Sequence, residues 1–107
     1  AQGRYEAAVE SVFQGQAHLA VELMPTAPED WPEAEVLDRY DAILALGTRI
    51  GARNLAGLER LGLVARWGVG YDRLDTEAMS AAGVVLAITP NAVRRPVAAA
   101  ALALVFA

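Results

Sequence analysis

Short apolar runs alternate along this chain with stretches whose apolar positions recur every third or fourth residue. That alternation is the pattern of an α/β domain built on a parallel sheet. The spacing of Tyr5, Val9, Val12 and Phe13 predicts a helix over Arg4–Phe13, ended at Gly15. His18–Met24 reads as a first strand with Leu19, Val21 and Leu23 on one face. Pro25, Pro28 and Pro32 then exclude a helix or a central strand across Pro25–Pro32. Ala34–Arg39 has room for one or two helical turns. Ala42–Leu46 is apolar throughout, as expected of a strand covered by helices on both faces. A helix over Ala52–Leu61 follows, with Leu55, Leu58 and Leu61 inward and Gly62 as its C-cap. Leu63–Trp67 is the next strand. Asp75 caps a helix over Thr76–Ala82, with Glu77 in the first turn and Gly83 closing it. Val84–Ile88 is the last strand, Pro90 marks its exit, and Pro96 sits in the first turn of a final helix, Pro96–Ala107.

The two ends of this pattern point to missing partners. The chain opens on a helix where a doubly wound domain normally opens on a strand, so a first strand is expected to be missing. Val97–Ala107 carries no polar residue on any face. A helix apolar all round is a helix buried all round, and four short strands cannot cover it. Either a partner domain or a second copy of the chain, in a homodimer, is expected to do so. The organisation expected is therefore one domain over residues 1–96 and, over 97–107, the start of a helix that docks outside it.

Composition narrows the chemistry. With 107 residues there is room for one domain, and 55% hydrophobic content supplies a core. A domain of this size is only marginally stabilised by burial. Cysteine is absent and His18 is the only histidine, which removes disulfides, thiolate zinc sites and histidine clusters. All nine positive charges are arginines, so no lysine is present for a Schiff base, a phosphate loop or a receiver domain. A net charge of −4 argues against nucleic acid as a partner. Nine acids and two arginines fall in residues 1–41, four acids and seven arginines in 42–107. The basic later half would suit a small anionic ligand, or it is an uneven solvated surface. Ala1–Ser11 lacks the order of a signal peptide, and the apolar run Val97–Ala107 is shorter than the roughly 20 residues a bilayer needs. A cytoplasmic protein without a membrane partner is the expectation.

The sharpest local feature is Arg66-Trp67-Gly68-Val69-Gly70-Tyr71-Asp72-Arg73-Leu74-Asp75, directly after a strand. Ligands of parallel sheets gather at the carboxyl ends of strands. Glycines there expose backbone N–H groups, and successive exposed N–H groups make an anion-binding concavity. On spacing alone, a tight turn reads equally well. The segment is not a dinucleotide fingerprint, because Arg73 stands where the third glycine would fall and no helix opens until Asp75.

Asp41–Thr48, Gly68–Asp75, Ala82-Gly83-Val84 and Thr89–Ala98, taken in order, resemble the D-isomer-specific 2-hydroxyacid dehydrogenase family. The resemblance implies a flavodoxin-like α/β domain, with a parallel sheet and helices on both faces, that closes over substrate opposite a domain binding NAD or NADP. It implies that backbone N–H groups of Val69 and Gly70 hold the substrate carboxylate, with Leu46 and Gly47 walling the pocket. It places Val69 and Val97 near the cofactor. The family's catalytic arginine, acid and histidine lie in or after the cofactor domain, so no catalytic residue is carried over to this chain. One departure is Val97-Ala98-Ala99, where the family commonly has Val-Ala-Glu. His18 reads as a solvated residue beside a strand, Arg66, Arg94 and Arg95 as surface-paired arginines, and Trp31 and Trp67 as packing residues.

The function this implies is one side of a hydride transfer between a nicotinamide cofactor and a 2-hydroxy or 2-oxo acid, with the 107 residues alone inactive. Two other readings stand beside it. One is a non-catalytic flavodoxin-like module that binds a small acid. The other is a structural fragment that assembles through its apolar last helix.

Overall fold

The computed structural model describes residues 2–24 and 33–107, with side chains from Glu6 onward. The predicted loop over Pro25–Pro32 and Trp31 lie outside the described residues. The elements are α1 (Gln2–Phe13), α2 (Ala34–Leu37), β1 (Ala42–Ala45), α3 (Ala52–Leu55), β2 (Leu63–Arg66), α4 (Thr76–Ala81), β3 (Val85–Ala87) and α5 (Pro90–Phe106). The strands form one open parallel sheet in the order β1-β2-β3. Ile43 stands beside Val64 and Val64 beside Leu86, while Ala45 stands beside Arg66. The class is the α/β expected from the pattern, and flavodoxin-like as the resemblance implies.

Period-two alternation decides which face of the sheet is covered. Ile43, Ala45 and Val64 are buried and Leu86 packs against them, joined by Leu37, Ile50, Leu55, Leu61, Leu74, Met79 and Val84 in a single core. Full burial of such side chains stabilises by about 1.5–3 kcal/mol each. The opposite face is Ala42, Leu44, Leu63, Ala65, Val85 and Ala87, every one apolar. It is nonetheless open: Leu44 is 47% exposed and Val85 62%. The described residues thus cover one face of the sheet, not the two its composition predicts.

Four local expectations are corrected. Among the described residues His18–Met24 pairs with no strand. The segment runs unpaired after α1, with Leu19, Val21 and Leu23 exposed beside Val9 and Phe13 across a shallow cavity. The Ala52–Leu61 helix stops at Leu55, because Ala56 turns extended and Gly57 adopts φ 72°. That glycine, not Gly62, ends the helix. Leu58 and Leu61 still reach the core, but from irregular backbone. The last helix begins at Pro90 rather than Pro96, so Pro90 fills the first-turn place where a missing N–H costs little and Pro96 lies inside the helix. None of its side chains is buried. Three strands are present among the described residues where four were expected.

Polar contacts hold the irregular stretch in place. Asp38, at the end of α2, accepts the backbone N–H groups of Glu59, Arg60 and Leu61 at 2.7–3.1 Å. Those donors, Arg60 foremost, hold its carboxyl below the ordinary value of 3.8. Arg60 also grips Asp41 with Nε–Oδ1 2.9 Å and Nη2–Oδ2 2.8 Å, a two-pronged pair that lowers the Asp41 carboxyl likewise. At the other end of the domain Asp75 caps α4 as expected, its carboxylate accepting the Ala78 N–H at 2.9 Å.

Candidate functional site

The carboxyl ends of β1, β2 and β3 meet in a cluster of loops that bond to one another. Trp67 N–H donates to Ala45 O at 2.9 Å, carrying the β1–β2 ladder one residue past the strand. Further out, Ile50 N–H donates to Arg73 O at 3.1 Å and Asp75 N–H to Ile50 O at 2.9 Å, a parallel bridge outside the sheet. Ile50 and Leu74 are both buried there. On the β3 side, Thr89 N–H donates to Gly68 O at 2.9 Å and Thr89 Oγ1 accepts from Gly68 N–H at 2.9 Å. The loop after β2 is thus fixed from both neighbouring strands.

Glycine is required at its tip. Gly68 has φ 137°, a region that side chains rarely enter, and a Cβ there would lie 3.1 Å from Arg66 Nη1. The Arg66 guanidinium sits against the loop because it donates from Nε to Gly70 O at 2.9 Å and from Nη1 to Trp67 O. Gly47, with φ 71°, turns the chain after β1, and its carbonyl accepts from Arg73 Nη1 at 3.1 Å. Arg66 and Arg73 therefore brace the two loops through backbone carbonyls, not through surface acids as the sequence suggested for Arg66. Arg94 and Arg95 lie exposed on α5.

Between these loops is a cavity of about 340 Å³ lined by Gly47, Thr48, Arg66, Gly70, Asp72, Arg73 and Leu74. It brings Gly47 and Gly70 together. Leu46 and Val69 are their exposed chain neighbours and do not line it. Val97 lies on α5, exposed and outside the lining. Among the described residues the N–H groups of Val69 and Gly70 meet no protein acceptor, whereas that of Gly68 is taken by Arg66 O and Thr89 Oγ1. Adjacent N–H groups left without a protein acceptor can receive a small anion. His18 sits in an exposed turn away from the cavity. No group of three or more His, Cys, Asp or Glu side chains placed to hold a metal occurs among the described residues. No helix among them is long and apolar enough to cross a membrane.

Thr48, Arg66, Asp72, Arg73 and Leu74 line the cavity, and Thr89 bonds to its loop, without having been assigned to the site by sequence reasoning. Arg73 and Asp72 lay in the quoted glycine segment, but nothing in spacing tells which way a loop side chain turns. Thr89 carried a signal in the pair Thr89-Pro90, a helix-start combination that reads equally as a strand exit.

An open parallel α/β sheet with a cavity at its strand ends is the arrangement in which domains of this class take small molecules. Residues 5–101 match the model of the D-isomer specific 2-hydroxyacid dehydrogenase catalytic domain, and the chain belongs to that family. The match extends well before Asp41, where the recognisable motifs begin, and takes in most of α1. No curated protein matches the chain.

Proposed function

We propose that these residues form the substrate side of an oxidoreductase that moves a hydride between a nicotinamide cofactor and a 2-hydroxy or 2-oxo acid. The observation that carries this reading is the pair of open N–H groups at Val69 and Gly70 beside the cavity between the β1 and β2 loops. In it the substrate carboxylate accepts from those two amides, Gly47 bounds the space beside it with Leu46 next to it in the chain, and the braced loops orient the reacting carbon.

The residues present suit only one edge of the cofactor. Exposed Val69 and Val97 offer apolar contact of the kind a nicotinamide ring accepts, and the sequence holds no G-x-G-x-x-G for a pyrophosphate. NAD or NADP, when bound, supplies or takes the hydride. Its binding domain and the catalytic acid–base groups belong, on this reading, to residues other than these 107, with positions 97–107 in the helix that enters that domain. The isolated chain is then inactive and self-associates, as a homodimer or larger, through its uncovered α5.

An isotope-labelled sample titrated with pyruvate tests the site. Amide shifts confined to residues 68–72 are expected, with none from neutral acetone. Shifts elsewhere, or equal shifts from both probes, overturn it. The same polypeptide with NADH and pyruvate is expected to show no turnover. The position of His18, the chain's only histidine, away from the cavity favours a second reading, a binding module without chemistry. A contiguous reading frame that continues into a dinucleotide-binding fold decides against that module, and a stop codon after Ala107 decides for it.

A further inference from the structure

We infer that α5 of one copy of this chain lies along α1 of a second copy, Arg95 against Glu6 and Leu102 against Phe13. This rests on the reading just given, that the isolated chain self-associates through α5, and names the surface α5 meets. Between α1 and the unpaired segment His18–Met24 is a shallow cavity of about 520 Å³. Its floor is apolar, with Val9 and Phe13 from α1 and Leu19, Val21 and Leu23 from the segment. The charged side chains at its edge are Glu6 and Glu10, two acids without a base. The helix α5 is the counterpart: Arg94 and Arg95 are its charged residues, without an acid, and every residue from Val97 to Phe106 is apolar. None of these four charges forms an ion pair among the described residues, and no side chain of α5 is buried.

The two helices also match in spacing. Glu6, Val9 and Phe13 stand at i, i+3 and i+7, and so do Arg95, Ala98 and Leu102. Such positions share one face of a helix, and the charge lies about 10 Å along the axis from the large apolar residue on both. Laid parallel, the helices bring Arg95 to Glu6, set the small Ala98 opposite Val9 and cover Phe13 with Leu102. Laid antiparallel, they would press the arginine on Phe13 and strip it of water without a counter-charge, which opposes docking. The open face of the sheet is a poorer seat, because its residues Ala42, Leu44, Leu63, Ala65, Val85 and Ala87 include no acid for either arginine. In a two-fold pair the exchange is reciprocal, so each contact occurs twice and both apolar surfaces leave water in each copy. Burial drives such an association, and the charges at its rim fix the register.

Sedimentation equilibrium of the 107-residue chain and three variants tests this. Glu6→Arg and Arg95→Glu each set like charges together at two places in the dimer and should raise its Kd about tenfold. The double variant Glu6→Arg/Arg95→Glu remakes both pairs and should return Kd close to that of the unaltered chain. Circular dichroism establishes that all three fold. Because the chain has no cysteine, a nitroxide on Ala101→Cys reports where α5 lies. In a mixture of nitroxide-bearing chain with isotope-enriched chain, broadening of amides 6–13 of the enriched copy is expected. A dimer indifferent to both reversals, not restored by the double variant, or broadened elsewhere overturns the inference while self-association through α5 stands. Broadening of 6–13 only when nitroxide and enrichment share one chain gives α1 to its own α5, and overturns it too. A chain that stays monomeric at millimolar concentration removes the self-association and this inference together, and leaves the substrate site to its own titration.

Discussion

The loop cluster at the strand ends and the helix α5 are chain neighbours joined at Thr89–Pro90, and they spend their interactions in opposite ways. In the cluster, Gly47, Ile50, Gly68 and Thr89 bond from one loop to another, Arg66 grips Gly70 within its own loop, and buried Ile50 and Leu74 lie beneath. In α5, whose residues from Val97 on are all apolar, Leu104 is 79% and Phe106 83% exposed. The open face of the sheet resembles α5 in this respect. Order at the site therefore does not depend on the apolar surface that remains uncovered. The geometry of the site is built from local polar bonds over a small core.

Substitutions should separate the two regions. The largest effect is expected from Ile50→Ala, which removes a fully buried side chain at the inter-loop bridge and should cost about 2–5 kcal/mol in urea denaturation. Gly68→Ala comes next. The strained φ and the close approach to Arg66 should cost about 1–3 kcal/mol and shift the amide resonances of residues 66–70. Acid should act on a third contact. Asp38 and Asp41 have carboxyls lowered in the folded state, so their contribution is complete above the ordinary value of 3.8 and is lost as pH falls through the lowered values. Asp38→Asn should flatten the dependence of the denaturation midpoint on pH below about 4, and an unchanged slope would remove Asp38 from this role. The smallest effect on folding is expected from the pair Leu104→Gln and Phe106→Gln, within about 0.5 kcal/mol as for exposed positions. The same pair should shift sedimentation toward monomer, and a destabilisation comparable to that of Ile50→Ala would show that α5 belongs to the core after all.

How far the sequence reveals all this depends on the kind of signal. The parallel α/β class, the three strands near their observed bounds and the Asp75 cap follow from periodicity and capping chemistry, which act within a few residues. The end of α3 was misplaced because Leu55, Leu58 and Leu61 keep helical spacing even though Gly57 breaks the backbone between them. Spacing records which side chains face inward, not whether the chain between them is helical. The unpaired course of His18–Met24 was missed for a related reason, since alternation describes a strand but cannot supply its neighbour. At the site, the glycine segment marked the place. The inward turn of Arg66 and Arg73 was not legible, because it depends on carbonyls of Gly70 and Gly47 whose directions arise only in the folded loops.

Thr89 holds the Gly68 peptide by both its N–H and its carbonyl, and the next residue is the first of α5. With no slack between them, the helix is a lever whose fulcrum is the tip of the site. A tilt of its far end must either carry the Gly68 peptide along or break the grip of Thr89. Whatever comes to rest on those exposed leucines and phenylalanine therefore bears on the Gly68 turn from the far end of a 17-residue helix.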